Sequence, residues 1–480
     1  MEDYNVALLC DFYEFTMGNG YFLSGMSEEN ACFDLYFRRV PDGGGFAIAA
    51  GLADAVDHLS HLHFTEQDIA FLRSKQLFCE EFLEYLQHFE FCCDVFAVEE
   101  GTPVFPNEPL VTVRGPVIQA QMLETMLLLM INHQSLIATK SNRIVRAAQG
   151  RPVFEFGSRR AQGSNAAVLG ARASYIAGCS GTACTVCEPL CGIPTVGTMA
   201  HSWVQMFDSE WDAFRAYATY YPDQCTLLID TFNVLKSGVP NAIRTYEEVL
   251  KPMGKRLAGV RIDSGDITYL TNRVREMLDE AGLQDCKIFV SNSLDEYIIR
   301  DILHQGAKVD YFGVGERLIT SRSEPVFGGV YKLVAVEKDG KYIPKIKFSE
   351  NTEKITTPGY KKVYRLFSSK TGKMVADLIA LQEEQIDFSK PITLFDPVHT
   401  WKKKTFQDYT VEELLKPIFI GGKLVYEVPT IEQSRTYCAQ QIEKLWDEVL
   451  RFENPQEYYV DLSLKLWNMK QSLLQDSGKC

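Results

Sequence analysis

No apolar run in this 480-residue chain is long enough to cross a membrane. The most apolar stretch, Met126 to Ile131, falls far short of the ~20 residues that a spanning helix needs. The first residues, MEDYNVALLCDFYEF, lack a basic n-region and an uninterrupted apolar h-region, so no secretory signal is expected. Positive charge is also in deficit, with 49 Lys and Arg against 63 Asp and Glu and a formal net charge of −14. That balance argues against non-specific binding to nucleic acid or anionic lipid, although a small basic pocket for an anionic ligand stays compatible with it. Histidine is scarce, with eight residues, and there is no internal repeat or low-complexity linker.

Other residues are present in ordinary or generous amounts. Hydrophobic residues make up 46% and charged residues 23%, the mix of a soluble globular protein. A chain of this length has ample material for a large core and more than one domain. Thirteen cysteines are an odd count, and several lie inside apolar runs. Without an export signal, this pattern predicts reduced, buried thiols and a cytoplasmic protein.

Three segments are expected. Residues 1–120 open with a helical pattern, Asn5 to Leu23. A strand-like run follows, Ala31 to Arg38, then short helices and strand-like alternation from Phe91 to Ile118, which together read as an α+β domain. Residues 121–335 start with a helix, Gln119 to Ala148. The apolar runs VFEF, PTVGTM, TLLID, AGVRI, KIFVS and VDYFGV then alternate with helical stretches. Such runs predict a parallel sheet buried on both faces. The expected fold class is α/β, an irregular or incomplete (β/α) barrel, with an open doubly wound sheet as the alternative. Residues 336–480 read as a mixed, helix-rich part whose tail includes Ile431 to Phe452 and Gln456 to Gln475.

In a parallel barrel, chemistry sits at the C-terminal ends of the strands. Those ends carry Gly157-Ser158-Arg159-Arg160, Gly197-Thr198-Met199-Ala200-His201-Ser202, Asp230-Thr231, Arg261-Ile262-Asp263-Ser264-Gly265-Asp266, Ser291-Asn292-Ser293 and Gly313-Val314-Gly315-Glu316. Arginine offers a planar fork to carboxylate or phosphate. Aspartate suits ribose hydroxyls or magnesium, and a Gly-x-Gly turn frees backbone N–H groups for a phosphate. A phosphorylated substrate with a second negative group fits this rim. His201 is the one histidine placed there; His58, His61, His63 and His88 read as surface or packing residues, without a complete zinc signature.

Several strings resemble one known family in order. They are LLCDFYEFTMGNGYF, FEFGSRRAQG, GTMAHSWVQMF, DTFNVLKSGVPNAI, GVRIDSGD, FGVGERLITS with GGVYKLVAV, and K-x-TxPGYKKVYR. The sequence is thereby similar to the nicotinate phosphoribosyltransferases, from about residue 5 to 380 and more faintly beyond. The resemblance implies formation of nicotinate mononucleotide and pyrophosphate from nicotinate and phosphoribosyl pyrophosphate in NAD salvage, with Mg2+ and with ATP hydrolysed through a phosphohistidine at His201. It implies that Tyr13 and Phe156 face the pyridine ring, and that Arg159 and Arg261 lie near the nicotinate and the ribose phosphate, with Thr198 and Ser202 in the same pocket. Asp263 would meet ribose, and Gly313 and Gly315 the phosphate. Asp11, Arg38 and Arg39 fall in strings that reach into a neighbour's site, which implies a homodimer with shared active sites.

Two features depart from the family pattern. Glu316 places a carboxylate beside the expected phosphate turn, and a pairing with Arg317 is the simplest expectation for it. Cys179, Cys184, Cys187 and Cys191 have spacing reminiscent of iron–sulfur ligation. The alternative is a set of buried thiols, with Cys184 and Cys187 on one face of a short helix that ends at Pro189.

Overall fold

A computed structural model describes residues 5–351 and 354–477. The chain forms two compact units. One comprises the described residues up to Thr139 with those from Val326 onward, and the other runs from Lys140 to Pro325. No described helix is long and apolar enough to cross a membrane.

In the first unit, Asn30–Tyr36 lies between Val330–Lys338 and Val111–Pro116 in a seven-stranded sheet. This antiparallel pairing joins the start of the chain to its last third. Alternation along the strand sends Ala31, Phe33 and Leu35 into the main apolar core and Cys32 into a smaller cluster on the other face. A second sheet contains Lys361–Ser368 and Met374–Leu381. It encloses Arg365, which is fully buried and donates to both carboxylate oxygens of Asp377 and to the Pro103 carbonyl. Such a buried charge is tolerated because its donors are satisfied.

Helices and strands at the ends of the chain differ in detail from expectation. The N-terminal helix is Phe12–Leu23, preceded by a 3-10 turn at Val6–Leu8. Tyr342, Ile343 and Pro344 belong to the strand Lys341–Pro344. The tail has helices at Ile431–Glu443 and Leu464–Ser477, separated by the strand Val460–Leu462.

The second unit is built on six parallel strands. Their order across the sheet is Gly181–Thr182, Val153–Glu155, Tyr311–Val314, Lys287–Ser291, Gly259–Ile262 and Thr226–Leu228. Among the described residues no pairing joins the two outer strands, so the sheet is open. Five of the six expected runs form strands; PTVGTM does not. Pro194 has no N–H to give a ladder, and only an isolated bridge, Thr182 to Thr195, forms there. The two-residue strand Gly181–Thr182 takes its place at the edge.

Parity along these strands separates two kinds of surface. Val260, Ile262, Ile288, Val290, Phe312 and Val314 are buried on one side. The register pairs Phe154 with Gly313, Gly313 with Ser291, and Phe289 with Arg261. Paired residues in adjacent strands project to the same side. Polar and aromatic residues from four strands are thereby gathered on the opposite side.

Near the N-terminus, Glu14 is fully buried in the first turn of Phe12–Leu23. It accepts hydrogen bonds from the Thr125 hydroxyl at 2.6 Å and from the Asp11 N–H at 3.3 Å, while its other oxygen is buried without a partner. Burial pushes its carboxyl up from 4.5 to about 7, despite the Thr125 hydrogen bond, and the nearby Glu124 adds to the rise. The folded state therefore holds this proton more tightly than the unfolded state does. The stability it contributes is complete below about pH 4.5 and is lost as pH rises through about 7. Glu14→Gln should remove that loss, gaining on the order of 1–3 kcal/mol over the parent between pH 5 and pH 8 in denaturation measurements. A difference between the two proteins that is the same at both pH values would contradict this.

Candidate active site

The C-terminal ends of the parallel strands form a connected polar cluster. Asp230 follows the strand Thr226–Leu228 and has a side chain only 1% exposed. Its Oδ2 accepts from the Asp263 N–H at 2.9 Å and from the Ser264 hydroxyl at 2.6 Å. The other oxygen, Oδ1, is buried and has no hydrogen-bond partner. It lies 4.0 Å from His201 Nε2, and Asp263 Oδ2 lies 3.9 Å from the same nitrogen. His201 Nδ1 is 3.1 Å from the Thr231 hydroxyl. One imidazole is thus placed between a hydroxyl and two carboxylates.

Arg261 ties this group to its neighbours. It reaches Ser291 Oγ at 2.9 Å, Thr198 Oγ1 at 3.1 Å and Asp263 Oδ1 at 3.3 Å, and the Ser291 hydroxyl donates to Asp263. Its guanidinium lies 5.7 Å from the centre of the Phe156 ring. Phe156 stacks on Phe289 with ring centres 5.5 Å apart. Gly313 makes this packing possible, since a Cβ there would come within 2.7 Å of the Phe156 ring. Gly315 would place a Cβ 3.0 Å from the Phe156 carbonyl oxygen. Both glycines are thus accounted for by the close approach of Phe156.

Glu155, the residue before Phe156, is fully buried. Glu155 accepts from the Gly157 N–H and, at 2.7 Å, from the Thr182 hydroxyl. Burial raises its pKa, opposed by those two hydrogen bonds. The chain then turns through Ser158–Arg160 and leaves Arg159 exposed. Among the described residues, no hydrogen bond or ion pair engages Arg159.

Of the residues expected from the sequence, Phe156, Arg159, Thr198, His201, Ser202, Arg261, Asp263, Gly313 and Gly315 all belong to the second unit. Thr198, His201, Arg261 and Asp263 are linked as described, and Ser202 is exposed beside His201. His201 does not stand at a strand end. It opens the short helix His201–Gln205, after an extended segment that replaces the expected strand. Asp11, Tyr13, Arg38 and Arg39 belong to the first unit. Asp11 caps the Phe12–Leu23 helix, and Tyr13 is exposed in its first turn. Arg38 has a buried Nε without a partner, and Arg39 is exposed.

Several contributors had no role assigned from the sequence. Asp230 and Thr231 end the TLLI run, and Ser291 ends KIFVS, so their position at a strand end was visible. What each binds was not. Glu155 and Phe289 sit inside apolar runs and carried no signal of their own. Glu316 also differs from expectation, because Arg317 turns to Asp295 instead. Glu316 meets Arg322 and Arg160, at 3.1 and 3.8 Å.

The four cysteines do not assemble a metal centre. Among the described residues, no group of three or more His, Cys, Asp or Glu is arranged to hold a metal ion. Cys187 opens a short helix, Cys187–Cys191, in which Pro189 lies in the first turn rather than at the end. Proline is tolerated there because those N–H groups have no intrahelical partner. His58, His61 and His88 each bond a carbonyl four residues earlier in the chain, in keeping with local packing.

Comparison with known proteins places the whole chain. Residues 152–371 match the nicotinate phosphoribosyltransferase (NAPRTase) family, residues 8–132 its N-terminal domain, and residues 360–470 its C-terminal domain. The nicotinate phosphoribosyltransferase of Bacillus subtilis is 41% identical over 99% of this chain and 96% of its own length. The crystal structure of human nicotinic acid phosphoribosyltransferase superposes with a TM-score of 0.84 and 30% identity, covering 97% of this chain and all of that one. A nicotinate-nucleotide pyrophosphorylase from Pyrococcus furiosus gives 0.69 at 25% identity, over 92% and 99% of the two chains. The chain belongs to the nicotinate phosphoribosyltransferase family and is an enzyme of that type.

Proposed function

We propose that the enzyme joins nicotinate to 5-phosphoribosyl 1-pyrophosphate, releasing pyrophosphate, and couples this step to ATP hydrolysis through phosphorylation of His201. The observation that carries the coupling is the placement of His201 between Thr231 and the carboxylates of Asp230 and Asp263. Two carboxylates near Nε2 favour a proton on that nitrogen. Nδ1 then keeps its lone pair, with the Thr231 hydroxyl as its donor. Attack of Nδ1 on the terminal phosphoryl group of ATP forms an N–P bond and releases ADP. Water later breaks that bond and yields phosphate.

Nicotinate is a flat aromatic anion, and two aromatic faces with one arginine suit it. Phe156, braced by Phe289 and Gly313, offers one face, and Tyr13 is assigned the other. The unengaged guanidinium of Arg159 is assigned the carboxylate. Loss of pyrophosphate builds positive charge on the ribose carbon, which Asp263 would stabilise while holding the sugar. Magnesium would reach the site with the pyrophosphate, neutralising the leaving group. The orphaned Oδ1 of Asp230 and the neighbouring Asp263 fit a cation that binds one or two carboxylates together with substrate phosphates.

Asp11, Tyr13, Arg38 and Arg39 are assigned to an active site shared across a homodimer. The unpartnered, buried Nε of Arg38 supports a ligand at that position. Placement in NAD salvage, in the cytoplasm, follows from the chemistry proposed and the reduced state expected for the thiols.

Two measurements test this reading. Purified protein given phosphoribosyl pyrophosphate, magnesium and ATP should form mononucleotide from nicotinate and hydrolyse ATP alongside. Nicotinamide should be a poor substrate; preferential use of it would overturn the assignment of Arg159. His201→Ala should take up no label from γ-labelled ATP and should lower ATP-coupled turnover about 100-fold or more, as expected for a group that takes part directly in chemistry. Undiminished coupled turnover would exclude the phosphohistidine.

A further inference from the structure

One charged group of the second unit has no part in the chemistry above. Glu316 Oε1 lies 3.1 Å from Arg322 Nη1, and its Oε2 lies 3.8 Å from Arg160 Nε. All three side chains are substantially exposed, at 44%, 61% and 60% respectively. Two guanidinium groups share one carboxylate, so the cluster keeps a net positive charge. Arg159, next in sequence to Arg160, has no hydrogen-bond or ion-pair partner among the described residues. On the same turn, the Ser158 hydroxyl is buried without a hydrogen-bond partner.

The strand ends explain how these residues meet. Val153–Glu155 and Tyr311–Val314 are adjacent and parallel, so the turn after the first, carrying Arg160, lies beside the turn after the second, carrying Glu316. Arg317 is removed from the group by its bond to Asp295. Arg322 enters it from just beyond Ser321, whose backbone is left-handed, with φ of 42°.

Exposed ion pairs contribute only about 0–1 kcal/mol each, so Glu316 holds these arginines without fixing them. A phosphoryl group offers more charge and more acceptor oxygens to a pair of guanidinium forks than one shared carboxylate does. We propose that Arg160 and Arg322 form a phosphoryl-binding pair, and that Glu316 is its resident counter-ion, occupying the anion's place until a phosphorylated ligand displaces it. The ligand class is a phosphoryl group, whether of phosphoribosyl pyrophosphate, pyrophosphate, ATP or free phosphate. Each of these pays the same cost of displacing a carboxylate, so Glu316 weakens binding and speeds release. This inference rests on the reading that the rim takes phosphorylated substrates.

Calorimetric titration of the full chain with inorganic phosphate, pyrophosphate, ATP and phosphoribosyl pyrophosphate, each separately, tests the proposal. The proteins compared are the parent, Glu316→Gln, Arg322→Ala and the Glu316→Gln/Arg322→Ala double variant, with melting temperatures confirming that each is folded. Glu316→Gln should tighten at least one of the four anions about 3- to 10-fold, and the anion affected identifies the source. Arg322→Ala should abolish that gain. Unchanged or weaker binding of all four by Glu316→Gln, or a gain that survives in the double variant, would overturn the proposal. A parent protein that turns over nicotinate while Glu316→Gln gains nothing loses only this inference. A parent that binds no phosphoribosyl pyrophosphate would instead overturn the reading beneath it.

Discussion

The buried carboxylate of Asp230 organises the rim of the second unit. One of its oxygens holds the backbone of Asp263 and the hydroxyl of Ser264, while the other faces His201 without a hydrogen bond of its own. A buried, under-satisfied carboxylate is costly unless a cation or donor completes it. An imidazolium, a phosphohistidine proton or a magnesium ion could each do so. Through Asp263 the influence extends to Arg261 and Ser291, and through Arg261 to Thr198 and Phe156. Preorganised charge of this kind costs no reorganisation when the reaction takes place.

The parallel sheet makes that arrangement possible. Its side chains alternate between two surfaces, so an apolar set of Val, Ile and Phe can be buried while residues one position away carry the chemistry. The same geometry sets limits. Gly313 leaves room for the Phe156 ring, and Glu155 accepts from the Gly157 N–H at the start of the turn that carries Arg159. Position 313 and the Phe156–Arg159 turn are therefore coupled through packing, although they lie on different strands.

Much of this was legible in the sequence. Apolar runs ending in charged or small residues gave five of the six parallel strands, because a strand buried on both faces has a distinctive composition. The ordered motifs gave His201, Arg261 and Asp263, which the fold brings together. PTVGTM is as apolar as the other runs, but Pro194 lacks the N–H that a ladder needs, and only an isolated bridge forms there. The joining of the chain's two ends in one unit was not legible, since strand pairing between Asn30–Tyr36 and Val330–Lys338 depends on contacts some 300 residues apart. Nor was the partner of Glu316, which depends on where two separate turns come to lie.

Replacement of Asp230 by asparagine decides whether its charge organises the rim. Asparagine keeps the shape and an acceptor for the Asp263 N–H but removes the charge facing His201. The expected variant is folded, with an unchanged KM for nicotinate and a kcat lowered about 100-fold or more, the order seen when one preorganised electrostatic contact is lost. A variant that retains the parent's kcat would show that His201 and Asp263 are organised by something other than Asp230.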